Sequence, residues 1–321
     1  MELAVSTYHG YERNTRNHIL PTLGKVGLRR LRPHHLDRLY DQKLHPSDGR
    51  RRLAPKTVYE VHLVISGALD DAVRRGLLTR NVALAASSPL QRSFHQLEKT
   101  AWTADQLRTF LAVAAGHRLF PALWLAANTG VRRSELLGLC WSDINFTKAR
   151  LSIIRGLVAV GYELHESRGK TKNSRRSIDL DPTTLTVLRG WQAFQAATCT
   201  ATGAENPERI FAEADGNPIH PQTVSQAFDR IVRRLDVPII SLHELRHTHG
   251  TLLIEAGIPV KVVSERLGHA SPTFTIQTYQ HVLPGMQAKA ASTFEALISP
   301  AVPPAARSTG SGRRNTRRKI A

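Results

Sequence analysis

Four short segments of this 321-residue chain carry side chains able to do chemistry. Residues 128–144, NTGVRRSELLGLCWSDI, place Arg132 after a Thr129–Gly130 turn and near the start of a helix carrying Leu136, Leu137 and Leu139. An arginine held there can aim its planar fork of donors at a phosphate. On its own the signal is weak, because an arginine beside a glutamate on a helix is usually a solvated pair. Residues 167–178, SRGKTKNSRRSI, form a basic loop between two strand-like runs, a composition also typical of a charged hairpin tip. Residues 241–250, SLHELRHTHG, spell H-E-x-x-H through His243, Glu244 and His247, the pattern of a zinc-protease helix. Leu253 stands where the longer zinc pattern needs a third histidine, and Arg246 would set a cation beside the metal, so no metal is expected. Residues 264–282, SERLGHASPTFTIQTYQHV, put Gly268 and His269 after a helix and Tyr279 ten positions further on. A lone tyrosine on a helix is ordinarily a packed aromatic with a satisfied hydroxyl. Gly169-Lys170-Thr171 looks like the end of a P-loop, but Leu164 replaces the required glycine and the loop lies between strands, so no nucleotide cofactor is expected.

The elements that must position these groups are mostly helical. Ser6 or Thr7 is a candidate cap for a helix running to about Leu20, ended by Pro21 and Gly24. A second helix begins after Pro33 with Leu36, Leu39 and Tyr40 on one face. A third, from Lys56 to Arg75, spaces Val58, Val61, His62, Ile65, Ala68 and Leu69 for burial and stops at Gly76. Residues 88–102 are polar and read as a linker. Thr103 and Gln106 then form a capping-box pair ahead of Leu107, Phe110, Leu111 and Ala114. LSIIRGLVAV and RSIDL are strand-like, with GYEL turning the chain, which predicts a small antiparallel sheet within residues 151–180. Helices return from Thr183, broken by the DGNP turn at 215–218. The expected class is mainly α with a small antiparallel β-sheet (α+β). The expected division is a helical domain over 1–97, a second domain over 98–297, and a basic, disordered tail over 298–321.

Charge narrows the partner. The formal net charge is +18. The tail contributes Arg307, Arg313, Arg314, Arg317, Arg318 and Lys319 without an acidic neighbour, yet the body stays basic without them. Nucleic acid is the expected partner, bound through phosphates with counterion release. No apolar run reaches the roughly 18–20 residues of a membrane span, and the N-terminus is too polar for a secretory signal. Two cysteines, Cys140 and Cys199, make neither a disulfide framework nor a four-ligand zinc site, and a cytoplasmic location is expected.

Taken together and in this order, the four segments resemble the tyrosine recombinase (phage integrase) family. TGVRRSELLGLCWSDI resembles the box of the first catalytic arginine, which maps to Arg132. GKTKNSRRSI is similar to the β-hairpin lysine segment, which maps to Lys170. HELRH looks like the H-x-L-R box, giving His243 and Arg246; LGH supplies His269; and the TY before QHV gives the nucleophile, Tyr279. YERNTRNHILPTLGKVGL looks like the family's helical core-binding domain, so the resemblance runs from about Ser6 to Val282. It begins almost at Met1, which leaves no room in this sequence for the further small DNA-binding domain that phage-type relatives often carry, as expected of a simpler group, a start placed too late or a truncated remnant.

The resemblance implies a site-specific recombinase that cuts and rejoins duplex DNA through a 3′-phosphotyrosyl link and a free 5′-hydroxyl, without metal or ATP. It implies action as a homotetramer through a Holliday junction, with a possible directionality factor, in the service of a mobile element. The chemistry of the residues agrees. Two arginine forks and a histidine donor suit a five-coordinate phosphorus. A phenol is a poor nucleophile at its free pKa and needs a base or a positive field. His243 is the candidate proton acceptor and Lys170 the donor to the leaving 5′ oxygen. Two rivals remain: a type IB topoisomerase, which would relax supercoiled plasmid as a monomer, and a non-catalytic DNA-binding accessory protein, against which an intact Tyr279 speaks.

Overall fold

The computed structural model describes residues 3–47, 49, 51–88, 100–168, 175–269, 271–279 and 286–298. The expected mainly helical architecture with small antiparallel β-structure is present. Its first helix departs from expectation. Helix α1 (Val5–Asn14) does not stop at Pro21 but passes through a π-helical turn, Thr15–Ile19, into α2 (Leu20–Leu23). A proline inside an α-helix removes one hydrogen bond and clashes with the carbonyl four residues back. The wider π turn just before Pro21 shifts that register, so the chain stays helical to Leu23.

Helix α3 (Pro33–Leu44) buries Leu36, Leu39 and Tyr40. Helix α4 (Pro55–Arg74) buries Val58, Val61, Ile65, Leu69 and Ala72 along one stripe. Ala68 was expected in that stripe but is exposed, the burial passing to Ala72 one turn on. Gly76 ends the helix with a positive φ of 71°. These stripes form one apolar cluster with Leu23, Leu31, Val82 and Ala83, and the Tyr40 hydroxyl lies 2.8 Å from His62 Nδ1.

From Trp102 onward the described residues build a second, larger cluster and a small third one of Ile254, Val263, Leu267 and Tyr279. Most of the expected linker, 89–99, lies outside the described residues, but its last member is no linker. Trp102 is 1% exposed, stacks on Phe228, and donates its indole N–H to the Pro238 carbonyl at 2.8 Å. Helix α5 (Ala104–Ala114) starts with the Thr103–Gln106 capping box, as expected. Helix α6 (Phe120–Thr129) is apolar on most sides and runs through the core, ending at Gly130 in the left-handed region. The short α7 (Arg133–Gly138) follows.

Instead of one sheet there are two. Strands β1 (Ile144–Asn145), β2 (Arg150–Ile153) and β5 (Arg176–Asp179) form an antiparallel trio in the order β1-β2-β5. Strands β3 (Arg155–Val160) and β4 (Glu163–Arg168) pair separately as a hairpin turned by Gly161–Tyr162. Leu151 pairs with Ile144 and Ile178, which puts three buried side chains on one face. Helix α7 lies on β3 at a backbone-to-backbone contact: a Cβ on Gly138 would stand 2.7 Å from the Gly156 Cα. Beyond β5 come α8 (Pro182–Thr202), α9 (Pro221–Val232), α10 (Leu242–Glu255), α11 (Val260–Leu267), α12 (Pro272–Tyr279) and α13 (Met286–Ile298). The tail from 299 lies outside the described residues, and no described helix is long and apolar enough to cross a membrane.

Candidate active site

The site begins at the end of α6. Gly130 adopts φ 63°, and a Cβ there would meet Leu267 and His249 at 2.7 and 2.8 Å. Only glycine fits that turn. Two residues later Arg132 is the N-cap of α7. Its backbone N–H donates to Glu135 Oε2 at 2.9 Å, Nη1 donates to Glu135 Oε1 at 2.7 Å, and Nη2 donates to the Gly268 carbonyl at 2.9 Å. Arg132 keeps 38% of its side chain exposed, whereas the Glu135 residue is 7% exposed. A second arginine grips the same carboxylate: Arg176, on β5, donates through Nη1 to Oε1 at 3.0 Å and through Nη2 to Oε2 at 2.8 Å. Burial by itself would raise the Glu135 carboxyl. The hydrogen bonds and charge of Arg176, then the backbone bond and charge of Arg132, outweigh it and hold the group near 2.

Helix α10 brings the third guanidinium. Its start is fixed by a Ser241–Glu244 capping box, which is what the glutamate of the H-E-x-x-H letters does. Arg246 points from the buried side of α10 and donates Nη1 to the Gly130 carbonyl at 2.7 Å. Its Nη2 is buried and has no hydrogen-bond partner among the described residues. Desolvation, reinforced by the charges of Arg132 and Arg176 and opposed by Glu135, pushes Arg246 down to about 9, still protonated at neutral pH. His243 lies one turn earlier on the same helix and is exposed. His247 is buried, its ring stacked on the Tyr279 ring with centroids 4.7 Å apart.

Helix α11 ends at Gly268, left-handed at φ 67°, so that its carbonyl meets Arg132 while His269 follows. His269 is half-buried, with Nδ1 2.7 Å from the Thr275 hydroxyl and its ring edge-on to Phe274. Tyr279 closes α12. It is 2% exposed and packs with Ile254, Val263 and Leu267. Its hydroxyl sits against Gly250 of α10, where a Cβ would stand 2.3 Å away. Burial raises the phenol to about 12 against the opposing pull of the Arg246 charge.

Of the six residues picked from the sequence, Arg132, Arg246 and Tyr279 thus share one electrostatic neighbourhood, and His269 adjoins the carbonyl that holds Arg132. His243 stands in the first turn of Arg246's helix. Lys170 lies outside the described residues, between β4 and β5. Asp143, after α7, accepts from the Cys140 N–H and from Arg155. Arg176 escaped notice among the basic letters of its segment. Its two-residue spacing from buried Ile178 was the available signal, since alternate residues of a strand share a face. His247 and Gly250 were missed as well, because only the folded α10–α12 contact makes them the seat of Tyr279.

Comparison with known proteins bears on the fold and the family. Residues 100–285 match the phage integrase family, and residues 2–44 match the phage integrase, N-terminal SAM-like domain. A tyrosine recombinase XerC-like protein of Caldanaerobacter subterraneus subsp. tengcongensis is 29% identical over 262 residues, covering 76% of this chain and 66% of that protein, so the chain spans about two thirds of its relative's length. Among solved structures, the Tn1549 transposon integrase in complex with transposon right end DNA superposes with a TM-score of 0.74 at 20% identity, over 93% of this chain and 95% of that one. A lambda integrase tetramer bound to a Holliday junction gives a TM-score of 0.65 at 20% identity, over 86% and 72%. The family match covers the whole stretch from Trp102 to Tyr279 on which the arginines, histidines and phenol are carried, and the chain belongs to the phage integrase family.

Proposed function

We propose that the protein is a site-specific tyrosine recombinase acting on double-stranded DNA in the cytoplasm, in the service of a mobile element. In this reading residues 1–97 and 98–297 are the two halves of a clamp around the duplex, and four copies work together on two duplexes. The supporting observation is the buried Nη2 of Arg246, a charged donor with no partner among the described residues, beside two further guanidiniums that share one carboxylate. A buried, unpaired donor is costly, by about 1–3 kcal/mol or more when charged, unless a ligand satisfies it. A DNA phosphate is the anion that a protein of net charge +18 attracts.

The chemistry follows. Arg132, Arg246 and His269 neutralise the non-bridging oxygens of the scissile phosphate. The Tyr279 oxygen attacks phosphorus while its proton passes to His243. The bond to the 5′ oxygen breaks, and Lys170 protonates that oxygen. The 3′-phosphotyrosyl bond conserves the energy of the phosphodiester, so a 5′-hydroxyl from another strand reverses the step without ATP. Tyr279 must first leave its seat against Gly250, and Arg246 Nη2 must be uncovered, because a phenol 2% exposed and an arginine 5% exposed cannot touch a duplex.

The test uses nicked duplexes tiled across the DNA flanking the gene. Wild-type protein is expected to become covalently trapped on the cognate duplex in EDTA. Tyr279→Phe is expected to bind that duplex equally well and to give no adduct. Adduct that persists in Tyr279→Phe moves the nucleophile elsewhere, and cleavage that depends on added metal contradicts the reading.

A further inference from the structure

We infer that Arg176 is a positioning residue for Arg132, acting through the Glu135 carboxylate; the inference rests on the recombinase reading above. Arg176 does not face DNA, since its side chain is 7% exposed and all three of its guanidinium nitrogens are engaged within the protein. Nε donates to the Arg266 carbonyl at 2.8 Å, at the end of α11, and Nη1 and Nη2 take one Glu135 oxygen each. Each oxygen of Glu135 therefore has two donors, one from Arg176 and one from Arg132. The plane of the carboxylate is fixed from behind by Arg176, and it then fixes the Arg132 fork from the front.

The ring closes through α11. Arg132 Nη2 donates to the Gly268 carbonyl, and the Arg176 guanidinium packs on Gly268 itself, where a Cβ would stand 2.8 Å from Nη1. One side chain thus ties the first strand residues after the 169–174 segment, the N-terminus of α7 and the C-terminus of α11. His269 follows directly on that last element. A lysine cannot reproduce this, because its ammonium is a point charge without a planar fork. Two donors in a fixed plane orient a carboxylate, and a single donor leaves it free to rotate.

The expected consequence is a loss of rate without a loss of binding. The probe is the cognate nicked duplex, with adduct formation followed in a single turnover at saturating protein. Arg176→Gln is expected to slow adduct formation by about ten- to a hundredfold, with the affinity for the intact duplex within about twofold of wild type. The double variant with Glu135→Gln is expected to be no slower than Glu135→Gln alone, because the effect of Arg176 passes through that carboxylate. An unchanged rate in Arg176→Gln, losses that multiply in the double variant, or a defect that disappears at saturation each overturns the inference. If melting shows that Arg176→Gln does not fold, Arg176→Lys decides. It keeps the charge and is expected to show the same rate-selective loss, whereas wild-type kinetics there overturn the inference. Adduct formation by the wild type separates the two levels: none at all is a failure of the recombinase reading, while normal adduct with an indifferent Arg176 is a failure of the positioning role alone.

Discussion

Glu135 sits 7% exposed between two guanidiniums, and its titration should be visible in the stability of the whole chain. Its carboxyl is held near 2 in the folded protein against an ordinary 4.5. A depressed folded value stabilises above the unfolded pKa, and that contribution, on the order of 3 kcal/mol, is lost as pH falls from about 4.5 toward 2. The melting-temperature gap between wild type and Glu135→Gln should be widest at neutral pH and should shrink by pH 3. A gap that does not change with pH contradicts the ion-pair assignment. Lys170 offers a separate test of proton donation. Replacing it should slow cleavage of an ordinary 5′-oxygen leaving group, and a 5′-bridging sulfur, which leaves without a proton, should restore the rate. No restoration rejects Lys170 as the acid. At this scale the sequence pointed to Arg132, Arg246, His269 and Tyr279, which the fold brings near one another. Strand alternation with Ile178 marked only the inward face of Arg176; its bidentate partner, 41 positions away, leaves no trace in local spacing. The sequence was silent on the stacking of His247 against Tyr279, which exists only once α10 and α12 meet.

Between elements, the helix that Arg132 caps, α7, is held by its close approach to β3. Gly138 faces the Gly156 backbone, where an added methyl meets atoms at 2.7–3.0 Å that cannot rotate away. Gly138→Ala should therefore cost roughly 2–4 kcal/mol, in the range of overpacked or strained sites, measured by denaturant unfolding. Gly190, exposed inside α8 with open space around it, is the matched control. Gly190→Ala should stabilise by about 0.5–1 kcal/mol. Equal effects at the two positions would mean that the α7–β3 contact carries no weight. The helices were legible because their signals are local: the Thr103–Gln106 box, the α4 stripe and the stop at Gly76 are read directly from letters. The S-x-x-E cap at Ser241–Glu244 was equally readable but was masked by the metal-like spelling of the same residues. The passage through Pro21 was not readable, since a π turn depends on register and not on composition. Nor was the split into two sheets, because β2 and β3 are separated by a single residue and read as one strand.

At the level of the molecule, the proposal that DNA is the partner draws on the net charge of +18. Affinity for duplex DNA should fall linearly on a log–log plot against salt, with a slope of about −0.9 per phosphate neutralised. Ending the chain after Ile298 removes six tail cations and should make the slope shallower while leaving adduct formation in place. An unchanged slope would mean that the tail takes no phosphates. Composition was enough to point to nucleic acid, but not to the gathering of Arg246 beside the Arg132 and Arg176 pair on one carboxylate, which depends on α7, β5 and α10 meeting in space. Covalent attack by Tyr279 is tested most directly by trapping the protein on a nicked cognate duplex, digesting it with trypsin and sequencing the peptide that retains nucleotide. The mass should be found on residues 267–289, in which Tyr279 is the sole tyrosine. Nucleotide on any other peptide, or strand cleavage that leaves no nucleotide on the protein, would contradict it.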